Sequence, residues 1–167
     1  MSSIDPIDYH ADRGHDIVLV REFDAPPALV YRAWTDAAHL ARWWGPHGYT
    51  NPVCRIDARP GGEIYIVMMG PDGVGLPIKG EVLEAIPGES LIYTMGADNS
   101  RGEWEIETMP RPAIHMIRFA PLDGGNRTRQ TVTARMGNAE DLAFMARMGM
   151  AEGFGQSMER LADLVRQ

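Results

Sequence analysis

The chain has 167 residues, the size of one domain with one sizeable core. With 44% hydrophobic and 23% charged residues it has the balance of a globular protein, which excludes wholly disordered and collagen-like classes. Its 16 basic and 23 acidic residues give a formal charge of −7, the wrong sign for a nucleic-acid backbone or an acidic membrane surface.

One cysteine, Cys54, allows no internal disulfide, and no CxxC or Cys/His cluster offers a zinc site. Residues 1–14 carry Asp5, Asp8 and Asp12 and lack an apolar core, so they read as a flexible N-terminal arm and not as a signal peptide. No apolar run approaches the roughly 20 residues that span a bilayer. The expected compartment is the cytoplasm. Residues 15–167 read as a single domain.

Residues 15–23, HDIVLVREF, are rich in β-branched side chains and predict a strand ending at Asp24-Ala25-Pro26-Pro27. Pro27 suits an early helical position, where its missing N–H costs little. A short helix over 28–34 follows, with Val30, Tyr31 and Trp34 on one apolar side. Thr35 or Asp36 caps a second short helix over 37–44, which Gly45-Pro46 stops. The period then changes to two. Strands are predicted over 49–59, 63–69, 76–86 and 90–96, each closed by a Pro/Gly/Asp turn, which makes an antiparallel meander. Residues 97–112 read as a longer loop with a short strand around Trp104. Two more strands, 113–120 and 127–136, are joined by the turn Asp123-Gly124-Gly125-Asn126.

Asn138 caps the last element. From Ala139 to Arg166 the rhythm of Leu142, Met145, Gly149, Phe154, Met158, Leu161 and Val165 is helical. One long helix is expected, bent if anywhere near Gly149 to Gly155, and two separated helices or a strand there would reject the architecture that follows. This order is α+β: a curved antiparallel sheet wrapped around a long C-terminal helix, with two short helices after the first strand. A curved sheet and a straight helix do not touch along their whole length, so a pocket is expected between them.

Trp34, Trp43, Trp44 and Tyr49 form the densest aromatic cluster, readable as a pocket wall or as packing of the short helices on the sheet. Alternation puts His115, Ile117 and Phe119 on one face of their strand, and Gln130, Val132, Ala134 and Met136 on one face of theirs. His115 and Gln130 are the polar members and would orient a ligand in an apolar cavity; the alternative is a solvent-facing or internally satisfied histidine. Met68, Met95, Met116, Met136, Met145 and Met158 are adaptable lining or plain core. Cys54 has no adjacent base and reads as a structural thiol. No G-x-S-x-G elbow and no phosphate loop occur, so no cofactor and no metal are expected.

Several stretches carry a resemblance. They are Ala25-Pro26, Val30-Tyr31-Arg32-Ala33-Trp34-Thr35, Leu40-Ala41-Arg42-Trp43-Trp44-Gly45-Pro46, Asp57-Ala58-Arg59-Pro60-Gly61-Gly62, Gly70-Pro71-Asp72-Gly73, Gly80-Glu81-Val82-Leu83-Glu84 before Pro87, Thr128 in its hairpin, and Gly149-Met150-Ala151-Glu152-Gly153-Phe154 before Leu161. In this order the sequence resembles the START-like superfamily of the birch-pollen-allergen fold, in the branch named after the activator of Hsp90 ATPase. It departs at Phe154, where the family often has tryptophan, and over 96–112. The resemblance implies a helix-grip fold. Its relatives bind lipids, steroids, polyketides or plant hormones, and a few cyclise or dehydrate their ligand. Fold does not fix function.

The expectation is therefore a protein that binds a hydrophobic small molecule. The proposed walls are Trp43, Trp44, Ile64, Ile66, Met68, His115, Ile117, Phe119, Gln130, Val132, Gly153, Phe154 and Met158. The alternatives are a cyclase- or aromatase-type enzyme using a buried acid or base such as His115, and a chaperone-associated interaction module. Neither a nucleic-acid partner nor membrane insertion is expected, and homodimerisation is left open.

Overall fold

The structure is a computed structural model that describes residues 15–100 and 110–166. The arm expected over 1–14 and the strand expected around Trp104 lie outside the described residues. The chain runs through strand β1 (Asp16–Phe23), helices α1 (Pro27–Thr35) and α2 (Ala37–Trp43), and strands β2 (Thr50–Ile56), β3 (Glu63–Met69), β4 (Gly75–Ile86) and β5 (Ser90–Ala97). Strands β6 (Ala113–Leu122) and β7 (Arg127–Met136) follow, then helices α3 (Ala139–Arg147) and α4 (Met150–Val165).

The seven strands form one antiparallel sheet in the order β1-β7-β6-β5-β4-β3-β2. Strands β2 to β7 meander, and β1 returns beside β7, so β1 and β2 are the two edges. Helices α1 and α2 make the edge-to-edge connection and cover one end of the concave face. Register shifts between Thr50 and Val53 and between Val82 and Glu84 mark irregularities that bend their strands. At the β1 edge Arg135 grips Asp16 with two bonds, Nε to Oδ1 at 2.8 Å and Nη2 to Oδ2 at 2.9 Å. That bond to the guanidinium holds the Asp16 carboxyl below the usual carboxylate range.

The helix starts follow from their caps. Pro27 opens α1, the Asp36 carboxylate accepts from the backbone N–H groups of Ala38 and His39, and the Asn138 side chain accepts from Asp141 N at 2.8 Å. The expectation of one continuous helix over 139–166 needs correction. Gly149 adopts φ 75°, in the left-handed region that ends helices, and α3 and α4 are separate. The grip survives because the sheet closes on α4 alone. Helix α3 packs instead on the end of the sheet, where Phe144 and Met145 join Ala113, Ala134 and Met136 in a small second cluster.

The main core lies between the concave face and α1, α2 and α4. Trp34 and Trp43 are its largest fully buried side chains, with ring centroids 4.7 Å apart. Both indole N–H groups are satisfied, Trp34 by Gln130 Oε1 at 2.8 Å and Trp43 by the Ala33 carbonyl at 2.9 Å. Ile92, Ile114 and Met116 point to the opposite face and form a third cluster with Leu83. Among the described residues no helix is long and apolar enough to cross a membrane.

Candidate functional site

Between the main core and the second cluster lies a cavity of about 320 Å³. One wall is the end of α2 and the loop after it, Trp43 to Pro46 with Tyr49. The sheet supplies Met68, Leu76, Ile78, Met95 and His115. The helical side is Phe144, Met145 and Met148 at the end of α3, the break at Gly149, then Met150, Gly153, Phe154 and Ser157 of α4. Pro110 and Arg111 add to the rim. The Arg111 guanidinium stacks on the Phe144 ring at 4.3 Å and faces Asp141 at 3.9 Å.

Two features hold the α2 loop in place. Arg160 of α4 donates from Nη1 to the carbonyls of Trp44, Gly45 and Pro46 at 3.0, 2.9 and 3.1 Å, and from Nη2 to the Arg42 carbonyl at 3.0 Å. One side chain in this way satisfies the Arg42 carbonyl at the end of α2 and three carbonyls of the loop after it. Asn51 of β2 adds donations to Ala41 at 3.0 Å and to Trp44 at 2.8 Å. Partial burial lowers the Arg160 pKa from its ordinary value.

Of the polar residues described in the lining, His115 is the most buried. It is 5% exposed, and its ring sits between Tyr93 and Phe154 with centroid distances of 5.0 and 5.6 Å. Its Nδ1 lies 3.2 Å from the Tyr93 hydroxyl. Burial lowers the His115 pKa to about 4, so the imidazole is neutral near pH 7, and burial raises that of Tyr93. Ser157 is turned away from chemistry, its hydroxyl donating to the Gly153 carbonyl at 3.2 Å.

Of the walls expected from sequence, Trp43, Trp44, Met68, His115, Gly153 and Phe154 line this cavity. Ile64, Ile66, Ile117, Phe119, Val132 and Met158 do not; they are packed in the main core. Gln130 is also inside, but its amide bonds Trp34 Nε1 and the Met158 sulfur, so it orients core side chains and not a ligand. The strand residues among them face inward at the filled end of the concave face. Phe119 packs edge-on against Tyr31 of α1, with ring centroids 5.8 Å apart, at the filled end. Of the methionines, Met68, Met95 and Met145 reach the cavity, and Met148 and Met150 join them. Of the lining residues Phe144, Met145 and Met148 before the break at Gly149, Met145 alone was singled out from sequence, because a separate helix was not expected there. Their signal was the spacing of Phe144, Met145 and Met148 on one helical side. Arg111 gave no signal.

Cys54 packs partly buried against the main core, outside the cavity lining, and burial pushes its thiol up to about 11. Among the described residues no group of three His, Cys, Asp or Glu side chains is placed to hold a metal ion.

A curved antiparallel sheet closed on a C-terminal helix, with an apolar cavity left beside it, defines a START-like helix-grip protein. The model for Activator of Hsp90 ATPase homolog 1-like protein matches residues 24–166, and the chain belongs to that family. Among solved structures, a protein of Nitrosomonas europaea is 31% identical with a TM-score of 0.78, over 94% of this chain and 97% of that one. A protein of Arthrobacter aurescens is 27% identical with a TM-score of 0.79, over 90% and 86% of the two chains. An AHSA1 protein of Silicibacter pomeroyi is 25% identical with a TM-score of 0.69, over 89% and 95%. A search of curated proteins finds no match.

Proposed function

We propose that this protein binds a compact hydrophobic small molecule in the cavity between the sheet, the α2 loop and the two C-terminal helices. The observation that carries the reading is the lining: among the described residues, aromatic, methionine and aliphatic side chains surround two buried polar groups, His115 and Ser157, and the Ser157 hydroxyl is already bonded to the Gly153 carbonyl. Ligand sites are mostly apolar with a few placed polar groups, and this volume is at the lower end of the roughly 300–1,000 Å³ they occupy. The methionines add side chains that adapt to different shapes. Against an interaction module stands the scatter of exposed large apolar residues among those described: Val18 and Val20 share β1, whereas Leu29, Val53 and Ile86 lie on three other elements and Val74 and Met148 in connections. The test is native mass spectrometry of purified protein. A co-purified small molecule, or saturable uptake of an apolar dye that is lost when the cavity is filled, supports the reading. Absence of both in well-folded protein overturns it.

A second reading, an enzyme of the cyclase or aromatase type, has His115 in its favour, since a neutral imidazole at the cavity wall can polarise a bound group. With a pKa of about 4 it is a weak base, which favours binding over proton abstraction. Turnover of a bound ligand that disappears in His115→Phe while binding persists would select the enzyme.

A further inference from the structure

We propose that the ligand carries an uncharged hydrogen-bond acceptor of the ketone or quinone type, received by the Nε2–H of His115. This rests on the cavity reading above and adds the chemistry of the bound group. His115 faces Tyr93 across the β5–β6 pair, and Tyr93 is 1% exposed. The contact of 3.2 Å between Tyr93 Oη and His115 Nδ1 has two proton arrangements. A phenol is a better donor than acceptor, and a neutral imidazole nitrogen is a better acceptor than a phenol oxygen. The hydroxyl therefore donates to Nδ1, and the ring proton is on Nε2.

Nε2 has no hydrogen-bond partner among the described residues, and the ring that carries it lines the cavity. A donor that opens onto an apolar cavity gains most from an acceptor placed against it, because little else there competes for the bond. The charge balance selects the kind of acceptor. Among the described residues Arg111 is the charged member of the lining, and its guanidinium is placed over Phe144 with Nε 3.9 Å from the Asp141 carboxylate. A carboxylate seated at His115 would lose its water to a neutral partner, which is unfavourable. A hydroxyl would accept from Nε2–H but must also place its own hydrogen against a further acceptor. A carbonyl has no hydrogen to satisfy.

The test uses the full chain and a matched pair of probes, 1-tetralone and tetralin, titrated by NMR. They share a two-ring body and differ by a carbonyl oxygen. Replacing His115 by phenylalanine removes the donor and keeps an apolar wall. The affinity ratio of tetralone to tetralin should be about two- to twelvefold higher in the wild type than in His115→Phe, the range that one net hydrogen bond supplies. An unchanged ratio with both probes bound overturns this inference and leaves the cavity reading standing. Binding of neither probe to the wild type overturns both. Should the variant fail to fold, the imidazole ¹⁵N shifts of the wild type at pH 7 decide: a protonated Nε2 and bare Nδ1 support the assignment, and the reverse tautomer overturns it.

Discussion

Arg160, midway along the C-terminal helix, donates to the main-chain oxygen of Trp44 at 3.0 Å, and the same Nη1 reaches the oxygens of Gly45 and Pro46. One guanidinium thus ties the gripped helix to the loop that walls the cavity. His47 reinforces the tie, its backbone N–H donating to Gln156 Oε1 at 3.1 Å and its ring lying 2.8 Å from Glu159. Helix α4 therefore both fills the sheet and fixes the cavity wall.

Arg160→Met should keep the packing of the stem and lose the cap. The expected cost is roughly 1.5–3 kcal/mol, the worth of hydrogen bonds to a charged group, read as a lower urea midpoint with unchanged slope. Ligand or dye affinity should fall as well, because Trp44 and Pro46 lose their anchor. Arg160→Lys should recover little, since an ammonium cannot present the guanidinium fork to four carbonyls.

Gly153→Leu separates an open cavity from a packed core. A Cβ at this position meets Pro46 Cγ at 3.5 Å, an ordinary contact, and no sheet atom within 4 Å. The added side chain enters the cavity, and the helix interior gains propensity worth up to about 1 kcal/mol. Thermal stability should hold or rise slightly while dye binding is lost. A fall in melting temperature equivalent to the roughly 1–3 kcal/mol of an overpacked core would contradict the geometry.

Stability should depend on His115 as the pH falls. Its folded pKa, about 4, is below the ordinary value of 6.5, so between these values the unfolded chain binds more protons. Stability from this group is fully present above about 6.5 and is lost as pH falls toward 4, by roughly 3 kcal/mol in all. Denaturant melts at steps of pH should show this slope in the wild type and its absence in His115→Phe. The lowered carboxyl of Asp16 acts below its ordinary value of 3.8, outside this window.

Cys54 should be inert. With its thiol pushed up to about 11, the thiolate is scarce at pH 8. Alkylation of folded protein should run about two orders of magnitude slower than that of the denatured chain, followed by mass spectrometry. Cys54→Ser should leave dye binding unchanged, because the residue is outside the cavity lining.

The sequence by itself determined the segmentation of this protein and which face each strand residue takes. Those depend on local physics: period-two alternation, proline and glycine turns, and caps such as Asp36 and Asn138 act within a few residues of where they are read. Strands β3 and β7 accordingly have the bounds expected from sequence. Only the tertiary structure decided which stretch of the inward face borders empty space. Ile117 and His115 alternate identically, yet Ile117 is packed in the main core and His115 lines the cavity. That difference is set by where α1 and α4 lie across the sheet, and the path of α4 turns on the left-handed backbone of Gly149. A one-dimensional pattern fixes the direction of a side chain but not the element that meets it, because that meeting depends on contacts far apart in the chain.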